Sequence, residues 1–269
     1  DIDVNFAKKI ASYLKINHEI INFKSLDLNK KDKKIFKIYD HPIGCSSIFS
    51  TYLLYREISK RFKVCISGDG GDEIFGGYKW YERFLDLKYP SFSLLKDKNR
   101  LKQLIKDKLL LPSKDIERYK KIMLNRFEKT EINEFLNIQL KTDDTEMHEK
   151  YINSIHSIKD MQYVDFFTFL RFCLIRLDLS SMAHSVENRV PFLDHKLVEY
   201  VFKIEPNLVY KNKELKYLLK KVAERYLPKE FIYREKKGFS APINSILPIK
   251  TAKESMIYIF KKWENTHCK

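Results

Sequence analysis

The chain has 269 residues, 44% of them hydrophobic, and carries 51 Lys and Arg against 36 Asp and Glu, a formal charge of +15. That apolar content can bury a real core, which excludes a disordered chain, and the length suits one large domain or two small ones. The excess charge is mostly Lys scattered among Ile, Asn, Phe and Tyr. It shows no Arg-rich stripe or stacking platform, so it reads as a solvated basic surface and not as a nucleic-acid site.

In chain order, Val4, Ala7, Ile10, Ala11 and Leu14 recur at helical spacing and predict an amphipathic helix from Val4 to Leu14. His18 to Phe23 reads as a strand, and the Lys-rich stretch from Lys30 to Lys37 as an exposed helix face. Asp40-His41-Pro42 breaks the pattern, and Gly44 with Ser46 and Ser47 gives a loop ending in a helix cap. Ile48, Tyr52, Tyr55 and Ile58 carry the next helix, and Val64, Cys65 and Ile66 form an apolar run of the kind expected for a strand buried on both faces. The first 80 or so residues thus alternate helix and strand, as a parallel-sheet protein should.

From Tyr89 to Tyr163 the chain has no Gly and reads as several short helices. Phe166, Phe169, Leu170, Cys173, Leu174 and Leu177 predict one buried helix face. Two further helices follow, one begun by Leu197, Val198, Val201 and Phe202, the other carried by Leu215 to Tyr226 and stopped by Pro228. The expected fold class is α/β, a partial parallel sheet over residues 1–88 followed by a mostly helical region over 89–269.

Cys45, Cys65, Cys173 and Cys268 show neither metal spacing nor a disulfide framework, which fits a reducing cytoplasm. The most apolar run, Phe166 to Leu177, holds Arg171 and Arg176 and is too short to cross a bilayer, so no membrane partner is expected. The acidic opening resembles no signal peptide. An opening at Asp1 without Met reads as a fragment of a longer polypeptide.

The densest functional signal is Ser67 to Tyr78, Ser-Gly-Asp-Gly-Gly-Asp-Glu-Ile-Phe-Gly-Gly-Tyr, at the carboxyl end of the predicted strand, where ligands bind in open α/β sheets. Gly68, Gly70 and Gly71 let backbone N–H groups approach a ligand. Asp69, Asp72 and Glu73 would repel a polyanion unless a hard cation lies between, so the natural reading is a nucleotide with Mg²⁺. A surface turn whose acids complement a helix dipole is the other reading. The aromatic cluster Tyr78, Trp80, Tyr81 and Phe84 reads as core on a helix leaving this loop.

Two more motifs lie downstream, Arg-Val-Pro-Phe-Leu-Asp at Arg189 to Asp194 and Arg-Glu-Lys-Lys-Gly-Phe-Ser at Arg234 to Ser240. Together with the glycine-rich loop they resemble the synthetase domain of glutamine-dependent asparagine synthetases, from near the N-terminus to about Ile243. The resemblance implies an ATP pyrophosphatase-like nucleotide-binding fold. It also implies a reaction in which a carboxylate is activated by ATP as an acyl-adenylate and then attacked by ammonia.

Carried over by position, the resemblance makes Ser67 and Gly68 nucleotide contacts and Asp72 a ligand of Mg²⁺ and pyrophosphate. Asp69 falls near the activated carboxylate, where it could orient or deprotonate the nitrogen nucleophile. Lys236 would stabilise charge developing on the transferred group and pyrophosphate. Glu187, Arg189 and Asp194 read as an ion network joining two helices more readily than as catalysts. His184 and His195 read as helix-surface or packing residues.

The implied partners are a small carboxylate substrate and a glutaminase domain or subunit supplying ammonia, and the resemblance allows a homodimer. Two departures qualify this. The family's upstream Ser-Gly-Gly-x-Asp-Ser loop and its glutaminase domain with an N-terminal cysteine do not occur in the sequence, so the chain as given should bind ATP poorly and lack glutaminase activity. Where an Arg often binds the α-carboxylate of aspartate, the chain has Gly44-Cys45-Ser46-Ser47. Ser cannot supply the bidentate fork of Arg. A sugar acid of a surface polysaccharide, or an intramolecular amide as in β-lactam synthetases, fits that loop as well as aspartate does. A non-catalytic remnant acting as an interaction protein is the reading from outside enzymology.

Overall fold

A parallel pair of strands joins segments far apart in the chain: β1, Val64–Ile66, and β2, Glu187–Arg189. The register pairs Val64 with Glu187, Cys65 with Asn188 and Ile66 with Arg189. Glu187 N–H donates to Lys63 O at 2.8 Å, and Ser67 N–H donates to Arg189 O at 2.9 Å, so the ladder runs past both ends of β1. The computed structural model describes residues 2–21, 34–90, 97–124, 155–234 and 251–268.

The helices follow the predicted periodicities closely in the first part. Helix α1 is Ile2–Leu14 and α2 is Ser47–Ile58, with Ser46 at its N-cap although its side chain makes no capping hydrogen bond. After β1 come α3, Gly71–Phe75, and α4, Lys79–Lys88. Helices α5, Lys98–Leu110, and α6, Asp115–Leu124, occupy the glycine-free stretch. Helix α7, Ile158–Phe167, starts with a capping box between Ser157 and Asp160. Helix α8, Phe169–Met182, follows after Thr168, so the predicted single face from Phe166 to Leu177 is divided between two helices. Then come α9, His195–Lys203, α10, Tyr217–Ala223, and α11, Ala252–His267. Short helical turns stand at Pro206–Val209 and Lys229–Ile232. Among the described residues no helix is long and apolar enough to cross a membrane. The protein is therefore mostly helical with a small parallel sheet, the α/β class that its sequence predicts.

Four expectations need correction. Residues 16–21 form no strand, and Ile20 is exposed; apolar alternation makes a strand only where a neighbouring edge pairs with it. The Lys-rich stretch is not simply exposed, because in the helical turn at residues 34–37 Ile35 and Phe36 are buried while Lys34 and Lys37 face solvent. Strand β1 is not buried on both faces: Val64 is 41% exposed and Ile66 74%, while Cys65 on the opposite face is half-buried. Finally, among the described residues Glu187, Arg189 and Asp194 form no network between helices. Arg189 Nε donates to Glu187 Oε1 at 2.8 Å within exposed β2, and Asp194 caps α9 by accepting from the N–H groups of Lys196 and Leu197.

The chain divides into two compact units that alternate along the sequence. One comprises Asp1–Ser67, Ile175–Arg189 and Lys220–Lys269, the other Gly68–Leu174 and Val190–Leu219. In the first, Phe36 meets Phe49 edge to face, Tyr39 Oη and Ser180 Oγ share a 2.6 Å hydrogen bond, and Trp263 Nε1 donates to Tyr39 O at 2.8 Å. Burial pushes the Tyr39 hydroxyl up to about 12, so it stays protonated in that bond.

The second unit is built on aromatic residues. Tyr78, Tyr81, Phe84 and Tyr119 are buried together with Ile158, Met161 and Val164, and Trp80 stacks on Tyr78 with ring centroids 3.8 Å apart. A second cluster of Ile74, Phe75 and Val201, flanked by Phe192, Leu193 and Leu197, seats α3 against α9. Full burial of a side chain such as Ile74 contributes about 2 kcal/mol. A five-residue helix thereby gains the tertiary support that it lacks alone.

Candidate active site

The predicted nucleotide loop falls across the two units, Ser67 ending one segment of the first and Gly68 opening a segment of the second. In the first unit, Ser67 is half-buried at the end of β1. Its N–H is bound by Arg189 O, and its Oγ accepts from Asn188 Nδ2 at 3.0 Å. The hydroxyl is thus held by a residue on the neighbouring strand.

In the second unit, Gly68 is exposed and Asp69 half-buried. Gly70 has φ +82°, a left-handed conformation that disfavours a Cβ, and a Cβ there would also lie 2.4 Å from Leu193 Cδ2. This turn starts α3, whose first turn carries Asp72 and Glu73.

The two acids of α3 have different fates. Glu73 is 2% exposed and accepts a hydrogen bond from Tyr78 Oη, while Gln162 Nε2 donates to the Glu73 and Ile74 carbonyl oxygens, the former at 3.0 Å. Burial, then the neighbouring Glu73 charge, push the Tyr78 hydroxyl well above its ordinary pKa and keep it a donor. Glu73 is a structural anchor of α3.

Asp72 points to a different neighbour. Lys216 Nζ lies 3.0 Å from Asp72 Oδ1, an ion pair whose members are 28% and 23% exposed, and the contact lies outside hydrogen-bond geometry. Lys216 itself sits at φ +56° and donates its N–H to Gly76 O at 3.1 Å, so the backbone aims the ammonium. Gly77 makes the approach possible: a Cβ on it would lie 1.9 Å from Asp72 Oδ1 and 2.3 Å from Lys216 Cε.

A family model described as asparagine synthase matches residues 1–266. The chain belongs to the asparagine synthase family. It is 31% identical over 256 residues to asparagine synthetase (glutamine-hydrolyzing) 1 of Bacillus subtilis strain 168, an alignment covering 90% of this chain and 40% of that protein. To asparagine synthetase (glutamine-hydrolyzing) 3 of the same organism it is 30% identical over 197 residues, covering 73% and 29%. The asparagine synthetase of Mus musculus is 26% identical over 252 residues, covering 91% and 33%. The chain thus spans less than half the length of these curated relatives.

All the predicted site residues lie inside the range matched by the asparagine synthase family. Asp69 and Asp72 stand on one loop and helix start of the second unit, and Ser67 on the strand end of the first. Lys236 lies outside the described residues. Sequence reasoning missed Asn188, Lys216 and Gly77. Asn188 carries a readable signal in hindsight, as the neighbour of an Arg-Val-Pro-Phe-Leu-Asp motif; Lys216 is one Lys among many. Among the described residues no group of three or more His, Cys, Asp or Glu is arranged to hold a cation.

Proposed function

We propose that the protein forms part of an ATP-dependent, AMP-forming ligase that amidates a carboxylate through an acyl-adenylate. Membership of the asparagine synthase family supports amide-forming ligase chemistry. The observation that carries the reading is the fixed placement of Asp72 by Lys216 and Gly77 on the acidic glycine-rich loop. A surface turn needs no glycine kept open for an ion pair.

In this reading Ser67 and Gly68 contact the nucleotide, the Gly68 backbone being exposed and without a side chain. Asp69 orients the ammonia nucleophile or takes its proton as the carbonyl carbon is attacked. Lys236 neutralises charge developing on the leaving pyrophosphate. ATP is consumed: the carboxylate oxygen attacks the α-phosphorus, pyrophosphate leaves, ammonia displaces AMP, and the amide nitrogen loses a proton.

Mg²⁺ fits this donor set in one respect: it binds with one or two carboxylates plus substrate phosphates and needs no all-protein cage. Asp72 would hold it, as a carboxylate in the first turn of α3 on the glycine-rich loop. When bound, the cation would draw electron density from the phosphates. Ammonia would come from a glutaminase domain or subunit, in a cytoplasmic enzyme. The carboxylate class includes aspartate and sugar acids, because the Gly44-Cys45-Ser46-Ser47 loop has no arginine of its own to select an α-carboxylate by a bidentate fork.

Carboxylate-dependent exchange of labelled pyrophosphate into ATP, measured on the complete encoded polypeptide, tests the assignment. Asp72→Asn should reduce exchange by about 100-fold, the scale of losing one group that stabilises transition-state charge. Exchange unchanged in that variant would remove Asp72 from the site.

A further inference from the structure

Asn188 connects two side chains at the end of β1. It is the register partner of Cys65, whose Sγ donates to Asn188 Oδ1 at 3.1 Å, and its own Nδ2 donates to Ser67 Oγ at 3.0 Å. The thiol fixes the rotation of the amide, because a thiol donor must face the carboxamide oxygen, which leaves the NH₂ group facing Ser67. Burial pushes the Cys65 thiol up from its ordinary pKa, against a hydrogen bond with Tyr55, so the sulfur keeps the proton that it donates. All three side chains belong to the first unit, and the Ser67 N–H to Arg189 O bond holds the strand end beside β2.

A hydroxyl has one proton and two lone pairs. With one lone pair of Ser67 Oγ taken by Asn188, the Ser67 proton is directed to some other acceptor. Donation runs one way along the row, from thiol to amide oxygen and from amide nitrogen to hydroxyl oxygen, and each bond polarises the next.

We propose that Asn188 is a positioning residue that sets the Ser67 hydroxyl as a hydrogen-bond donor to an anionic ligand, a phosphate oxygen of the bound nucleotide. This rests on the reading of Ser67 as a nucleotide contact. It adds a role for a β2 residue, and it assigns the direction of the hydroxyl.

A double-mutant cycle on the complete encoded polypeptide tests it, with the dissociation constant of α,β-methylene-ATP plus Mg²⁺, and KM against kcat for ATP, as readouts. Ser67→Ala and Asn188→Leu should each weaken binding about ten-fold, the worth of a hydrogen bond to a charged acceptor, and should raise KM more than they lower kcat. In the Ser67→Ala background Asn188→Leu should add no further loss. Asn188→Asp, close in shape and so the better variant if the Leu protein fails to fold, reverses the polarity. Its carboxylate accepts the Ser67 proton, so it should weaken binding more with Ser67 present than in the Ser67→Ala background. Equal losses in both backgrounds, or no loss from Asn188→Leu or Asn188→Asp, would overturn the positioning role while leaving Ser67 as a contact. A silent Ser67→Ala would overturn both.

Discussion

Gly77→Ala is the sharpest test of how the acidic loop is built. The added Cβ would lie 1.9 Å from Asp72 Oδ1, 2.9 Å from Asp72 Cγ and 2.3 Å from Lys216 Cε, so both the carboxylate and the lysine stem must shift. The main chains of Lys216 and Asp72 are held by the N–H bond to Gly76 O and by α3, so relief comes from rotation of the two side chains, which breaks the ion pair. Overpacking of this kind costs about 1–3 kcal/mol. The pair is partly exposed, so its electrostatic share is small, about 1 kcal/mol or less. A total near 2 kcal/mol lowers the melting temperature by roughly 4–8 °C in a domain of this size. Differential scanning calorimetry of the variant beside Lys216→Met separates the two parts. Lys216→Met removes the charge without the clash and should melt within about 3 °C of the parent. A Gly77→Ala protein melting within about 1 °C of the parent would refute the close approach.

Two further outcomes follow from buried polar groups in the second unit. Asp165 is fully buried and accepts from Trp80 Nε1 at 3.0 Å; burial raises its carboxyl to about 7, with hydrogen bonds from Tyr81, Tyr119 and Trp80 pulling the other way. The folded state therefore binds more protons than the unfolded chain between about pH 4 and 7, and stability falls as pH rises through that window. Asp165→Asn should flatten that fall when urea midpoints are compared at pH 5 and 8, and an unchanged slope would count against it. Gln162→Leu strands the Glu73 and Ile74 carbonyl oxygens and should cost about 1–3 kcal/mol in urea unfolding, whereas a neutral result would mean that those carbonyls find other donors.

Much of the helical architecture was legible because its signal is local. Val4 to Leu14, Ile48 to Ile58 and Leu197 to Phe202 all became helices, although Leu14 is exposed and α2 buries Phe49, Thr51 and Leu53 as well as the predicted Ile48 and Tyr55. The aromatic run after the loop became core, as Tyr78, Tyr81 and Phe84 show. Strand β2 was not legible, because Glu187-Asn188-Arg189 has no apolar run; it is a strand through its pairing with β1, a tertiary effect that overrides local propensity. Asp194 looked like an ion partner and is a helix cap, since a cap needs only a short acceptor before α9. At the site, the glycines and acids of the loop could be read from sequence. The lysine paired with Asp72 could not, since Lys216 carries no local pattern that marks it, and the bond from Asn188 to Ser67, 121 positions away, is a tertiary one that a motif beside Asn188 does not reveal.

The acyl-adenylate is the claim on which the functional account turns, and oxygen transfer tests it most directly. The complete encoded polypeptide would be given ATP, Mg²⁺, ammonia and an ¹⁸O-labelled carboxylate, aspartate first, and the AMP and phosphate products analysed by mass spectrometry. Attack of the carboxylate on the α-phosphorus predicts one labelled oxygen in AMP for each amide formed. Label in inorganic phosphate with formation of ADP, or amide formed with unlabelled AMP, would contradict it.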